Sequence, residues 1–210
     1  MTKHRALFIF LNTFIIVDVL VILFSVLIKL PSAFRYFTVL SNIMMAIVAI
    51  FAIYIVLRRK SSQILHVLYL IATTSLVLVY LVVAVFLSPQ FEDYFYLFSG
   101  YNFFLHFFNP LLAVISFFLF KNLKLNSKTC FLSLIPPLLY AILYFVFVIL
   151  KKDWPDFYNF TLGGKEWVSV FTLLIILGVT YSVSVVLVKV QKSYLNKSQK
   201  NSLHFKIKTC

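Results

Sequence analysis

The sequence predicts an all-α integral membrane bundle of six transmembrane helices with both termini cytoplasmic. Three observations predict it. Apolar stretches run near residues 6–30, 34–57, 64–87, 96–120, 131–150 and 167–190, and crossing the hydrocarbon takes about 20 such residues. The linkers between them are short and charged. Hydrophobic residues make up 62% of the chain and charged residues only 12%, a balance that lipid solvates and a soluble core of this size does not.

Orientation follows from the basic residues, which collect on the cytoplasmic side of a membrane. With the N-terminus inside, Lys3, Arg5, Arg58, Arg59, Lys60, Lys121, Lys124, Lys128 and the six tail lysines are cytoplasmic. Lys29, Arg35, Lys151, Lys152 and Lys165 are then outside, together with Glu92, Asp93, Asp153, Asp156 and Glu166. The chain reads as one transmembrane domain, 1–190, followed by a basic cytoplasmic tail, 191–210. The net charge of +13 is accounted for by anionic lipid headgroups at the inner face, at about 1 kcal/mol for each basic residue. No nucleic-acid partner is needed.

In helix one the basic start Lys3-His4-Arg5 precedes an apolar run too long for a cleaved signal, with no small-residue cleavage site. Asp18 is the only acid within a span. An isolated carboxylate there protonates or finds a partner, which suggests a neutral or water-paired structural role, with orientation of a catalytic group as the second reading. Helix two carries Arg35, Thr38 and Asn42 at i, i+3 and i+7, with Ser41 beside them. That stripe suits interhelical hydrogen bonding as well as chemistry. Helix three shows His66, Tyr69, Thr73 and Tyr80 on one face, and His66 beside the Arg58-Arg59-Lys60 cluster reads as interfacial.

Helix four repeats the pattern with Asn102, His106 and Asn109 at i, i+4 and i+7. Pro110 follows, lacks a donor, and is expected to free the carbonyl of His106 and kink the helix. A neutral histidine can be held by neighbouring amides or act as a general base. Counting about 1.5 Å per residue, Thr38 lies about 6 Å and His106 about 9 Å below the outer surface, with Asp18 about 10 Å deeper. Thr38 and His106 meet if helices two and four are neighbours.

Helix five contains Pro136-Pro137, which bend or delay it, then Tyr140 and Tyr144 one turn apart. The loop 151–166 is rich in Trp, Phe and Tyr, which suits the headgroup belt. It reads as an interfacial turn first and a lid second. Asn159-Phe160-Thr161 within it matches a glycosylation sequon. In helix six Gly178 marks a close-packing position. Cys130 and Cys210 have neither metal nor redox spacing, and no metal or cofactor is expected.

The segments Tyr36-Phe37-Thr38-Val39-Leu40-Ser41-Asn42 and Leu105-His106-Phe107-Phe108-Asn109-Pro110, with Pro136-Pro137-Leu138-Leu139-Tyr140 and Trp154-Pro155-Asp156-Phe157, carry a resemblance. The chain resembles the bacterial Pr-six-Pr membrane family, itself distantly similar to the animal androgen-induced and androgen-dependent six-helix membrane proteins. The resemblance implies an intramembrane threonine hydrolase of lipid esters, with Thr38 as nucleophile and His106 as base. Arg35, Asn42, Asn102 and Asn109 are then the donors available to an oxyanion, and Asp18 an orienting group.

Two other classes remain open. A small transporter or substrate-capturing subunit has the same size, although no internal repeat or broken helix pair supports it. A non-enzymatic scaffold would use the same stripes as structural glue. The expected partner is membrane lipid, with a lipid ester as substrate in the first reading. The sequence leaves the oligomeric state open.

Overall fold

The computed structural model describes residues 3–27, 31–90, 94–120 and 125–208, with side chains for all of these but 26, 27, 31, 94 and 198–208. Lys29, Glu92, Asp93, Lys121, Lys124 and Cys210 lie outside the described residues. Six helices are long and apolar enough to cross a membrane. They are α1 (Lys3–Leu27), α2 (Phe37–Leu57), α3 (Gln63–Gln90), α4 (Gly100–Leu119), α5 (Ser127–Leu150) and α6 (Glu166–Lys208). The described residues form no strand.

Helix α3 is the core of the bundle. Its span is 61% buried, against 17% for α6, and it packs on α2, α4, α5 and α6, while α1 lies against α2 and α4. The burial is divided between two clusters. One, built on Phe8, Ile15, Met45, Tyr69, Leu76 and Phe117, joins α1–α4. The other joins α3 and α5 to the 151–165 loop through Val79, Val83, Tyr140, Tyr144, Val148 and Tyr158. Outward-facing Phe10, Phe24, Ile64, Ile142, Phe171 and Ile175 are each at least 60% exposed. Apolar surface on that scale needs a partner in water and none in hydrocarbon.

Local chemistry sets the helix starts. Helix α2 begins later than the apolar pattern suggests, because Pro31–Arg35 forms a 3-10 turn and Tyr36 is extended at φ −89°, ψ 129°. Arg35 therefore stands outside the helix, and the expected face shared by Arg35, Thr38 and Asn42 loses its first member. Helix α4 starts at Gly100, whose φ of +54° is in the left-handed region that glycine enters without Cβ strain. The reversal there folds the preceding turn, Tyr94–Phe98, back against α4. Helix α5 starts earlier than expected, at an Asn126–Thr129 capping box. It turns at Ser133-Leu134 and restarts at Ile135 with Pro136 and Pro137 in its first turn, where their missing donors cost least.

A π-helical stretch over Phe104–Phe108 precedes Pro110. The Asn109 N–H bonds to the Phe104 carbonyl, five residues back. Leu105 has therefore lost its usual partner at position 109, and its π-helical partner would be Pro110, which has no N–H. The carbonyl of Leu105 is thus left without a helical donor, beside that of His106, whose α-helical donor would also be Pro110. The Asn42 side chain donates to the Leu105 carbonyl from α2 at 3.3 Å. The same stretch brings α4 against α2, so the two polar helices are neighbours.

This arrangement predicts a thermodynamic coupling. Asn42→Ala should cost about 1–3 kcal/mol by stranding a buried carbonyl. In a Pro110→Ala background, where residue 110 regains its N–H, the same change should cost measurably less. A double-mutant cycle on unfolding midpoints in detergent would read the difference, and equal costs in both backgrounds would contradict the assignment.

Candidate functional site

Asn42 is the hub of the buried polar groups, 1% exposed. Besides Leu105, its Nδ2 donates to the Thr38 carbonyl at 2.8 Å, which also accepts from Ser41 Oγ at 3.0 Å. Its Oδ1 accepts from Asn109 Nδ2 at 2.9 Å, and Asn109 donates as well to Asp18 Oδ2 at 2.8 Å. Asp18, Asn42 and Asn109 thereby tie α1, α2 and α4 together. Helical rise alone set Asp18 well below His106, yet its carboxylate reaches the residue three positions after that histidine.

His106 is 8% exposed, and its Nδ1 lies 2.7 Å from the Leu97 carbonyl, which the Gly100 reversal brings back over α4. A carbonyl only accepts, so Nδ1 carries the proton and Nε2 of the neutral ring is the free base. Asn102 stands apart from this network. Its Nδ2 donates to the Tyr96 carbonyl at 3.2 Å, and the π stretch between 102 and 109 breaks the expected common face. The Arg35 guanidinium lies 5.6 Å from the Trp154 ring centroid, a cation–π contact with the 151–165 loop.

Thr38 is 7% exposed and lines a cavity of about 100 Å³ bounded by α2, α3, α5, α6 and the 151–165 loop. The cavity walls are mostly apolar, with Leu78, Val79, Val83, Ala141, Leu173 and Ile176 among them. Its oxygens come from Thr38, Tyr140, Tyr144, Tyr158 and Ser169. The Thr38 hydroxyl lies beside the Tyr158 phenol on the cavity wall. Among the described residues no hydrogen bond joins Thr38 to His106, and His106 does not line the cavity.

The loop is a lid. The Tyr158 hydroxyl accepts from the Phe37 N–H at 3.0 Å, serving as the cap that Tyr36 does not provide. Burial pushes the Tyr158 phenol above its ordinary pKa, against the opposing hydrogen bonds from Thr38, Tyr140 and the start of α2, so it stays protonated at neutral pH. Asp156 holds the loop's shape by accepting from the N–H groups of Phe160 and Thr161 at 3.0 and 2.9 Å, and from Thr161 Oγ1 at 2.8 Å. Trp154 stacks on Phe147 at 4.6 Å, and Asn159 donates to Gln90 Oε1 at 2.8 Å. Both polar members of the sequon are thus engaged in holding the lid.

Three polar contacts had no counterpart in the sequence reading. Tyr69 donates to Asn12 Oδ1 at 2.7 Å, Tyr140 donates to the Arg35 carbonyl at 2.8 Å, and Gln191 Nε2 reaches the Phe117 carbonyl at 2.8 Å. Asn12 and Gln191 are polar residues inside or bordering apolar runs, the same signal that flagged Asp18. His66, in the first turn of α3, is 5% exposed and stacks on Phe120 at 4.1 Å.

No family model, no curated protein and no solved structure matches this chain. The site therefore has to be read from its own geometry.

The lid predicts a local effect. Tyr158→Phe removes the cap of α2 and should cost about 1 kcal/mol. Limited proteolysis within 151–165 should speed up while the rest of the chain stays protected. Unchanged cleavage would show that the aromatic stacking alone holds the loop.

Proposed function

We propose that this chain is a multi-pass protein of the cell membrane, with both termini in the cytoplasm and the lid at the outer surface, that hydrolyses lipid esters at Thr38. The observation that carries the reading is a buried hydroxyl on the wall of a cavity that is otherwise largely apolar. An acyl chain fits the apolar walls, and its carbonyl carbon would lie against Thr38. The Pr-six-Pr resemblance, with its Thr and His at these positions, points the same way.

In this reading the Thr38 Oγ attacks the ester carbon and His106 Nε2 takes its proton. The proton then passes to the departing alcohol, and water releases the acyl group from Thr38. The Tyr158 hydroxyl, beside Thr38, is placed to donate to the developing oxyanion. Support for the pairing comes from Asn42, which bridges one turn below Thr38 to the residue before His106. Catalytic contacts commonly close only with substrate present. A second reading, a non-enzymatic lipid-binding protein, is favoured by one observation, the absence of His106 from the cavity wall.

Labelling by an alkyl fluorophosphonate separates the two. The reading expects labelled wild type, loss of label in Thr38→Ala, and at least about a hundredfold slower labelling in His106→Ala, as for loss of a general base. Both variants should still unfold cooperatively, with His106→Ala lowered by about 1–3 kcal/mol because it strands the Leu97 carbonyl. Unlabelled wild type, or full labelling of Thr38→Ala, would leave the lipid-binding reading.

Orientation has its own test. In a background with Cys130 and Cys210 changed to Ala, Lys152→Cys should react with a membrane-impermeant maleimide on intact cells and Arg59→Cys should not. The reverse pattern would invert the topology.

A further inference from the structure

The cavity wall contains a donor with nothing to donate to. Tyr144 lines the cavity, is 7% exposed, and its hydroxyl has no hydrogen-bond partner. Leaving a buried hydroxyl unpaired is costly, and the protein does not treat its neighbours this way. Tyr140, one turn back on α5, donates to the Arg35 carbonyl at 2.8 Å, and Tyr158 accepts from the Phe37 N–H at the start of α2. The Asp156 carboxylate lies near enough to act on Tyr144. Even so, no hydrogen bond forms between the two groups, and the carboxylate accepts instead from Phe160 and Thr161 within the lid.

We propose that the Tyr144 hydroxyl reads an oxygen acceptor on the ligand, making it a specificity-determining residue for acyl chains that carry a carbonyl or ether oxygen over plain hydrocarbon. The inference rests on the cavity being the ligand site but not on any reaction at Thr38. Tyr140 and Tyr144 are four residues apart, about 6 Å along the helix. The cavity therefore offers its hydroxyls in two tiers, one at Thr38, Tyr140 and Tyr158 and one at Tyr144. Phe145 and Val170, 49% and 53% exposed, also line the cavity, from α5 and α6. Ligand would pass between those helices from the membrane, and its oxygen would replace the partner that Tyr144 lacks.

The test uses the full chain in nanodiscs, photolabelled in the cavity by a diazirine-bearing octanoate ester. Methyl octanoate and nonane compete for the label. Wild type should favour the ester by about five- to tenfold, the worth of one buried hydrogen bond. Tyr144→Phe should lose most of that preference while its unfolding midpoint stays level or rises, because an unpaired hydroxyl has been removed. Thr38→Val should keep a Tyr144-dependent preference even though the reaction proposed at Thr38 is abolished, so failure of the hydrolase reading and failure of this one are distinguishable. The proposal is overturned if Tyr144→Phe retains the full ester preference. It is equally overturned if Tyr144→Phe lowers the midpoint as Asp156→Asn does, which would assign the hydroxyl to the lid.

Discussion

A backbone carbonyl in the middle of a membrane helix has no water to turn to, and Pro110, with the π stretch before it, leaves that of Leu105 without its helical donor. The Asn42 side chain answers it from α2, and in doing so fixes how α2 and α4 meet. Once that contact is made, the remaining capacity of Asn42 is used on Thr38's carbonyl and on Asn109, and Asn109 extends the chain to Asp18 on α1. Three helices are thereby held in register by hydrogen bonds in a medium where apolar packing alone gives little preference for one helix neighbour over another. Thr38 and His106 owe their positions to that register.

A second constraint acts at the lid end. The first N–H groups of α2 need acceptors; the Tyr36 carbonyl takes those of Val39 and Leu40, but its side chain caps none, which leaves the N–H of Phe37. The acceptor comes from Tyr158, 121 residues away in sequence. One phenol thus closes the lid, completes α2 and touches the Thr38 hydroxyl. Opening the cavity through the lid would break the cap of α2, whereas the gap between α5 and α6 is lined by residues already facing the membrane. A lipid route to Thr38 therefore disturbs less structure than an aqueous one.

Much of the fold was legible because lipid makes hydropathy a strong signal. All six spans overlap the apolar runs, with α2 starting later and α5 earlier than expected, and Asn42, Asn109 and Asp18 stand out as polar residues that must be satisfied inside the bundle. Periodicity failed where the helix was not a regular α-helix. Arg35 falls in a 3-10 turn and Asn102 lies beyond a π stretch, so spacings of i+3 and i+4 did not carry across to either. Pro110 signalled an orphaned carbonyl at His106, and the π geometry adds that of Leu105. The roles of Tyr158 and Tyr144 are tertiary. Nothing in a loop read as an interfacial turn says that its tyrosine will cap a distant helix, or that another will be left unpaired.

The account comes down to whether the hydroxyl on the cavity wall takes up an acyl group. Intact-protein and peptide mass spectrometry after brief exposure to p-nitrophenyl octanoate, quenched in acid, addresses this directly. The account predicts an octanoyl adduct on the peptide containing Thr38, and its persistence when His106 no longer assists water. Adducts confined to surface lysines, with the Thr38 peptide unmodified at every time point, would contradict it.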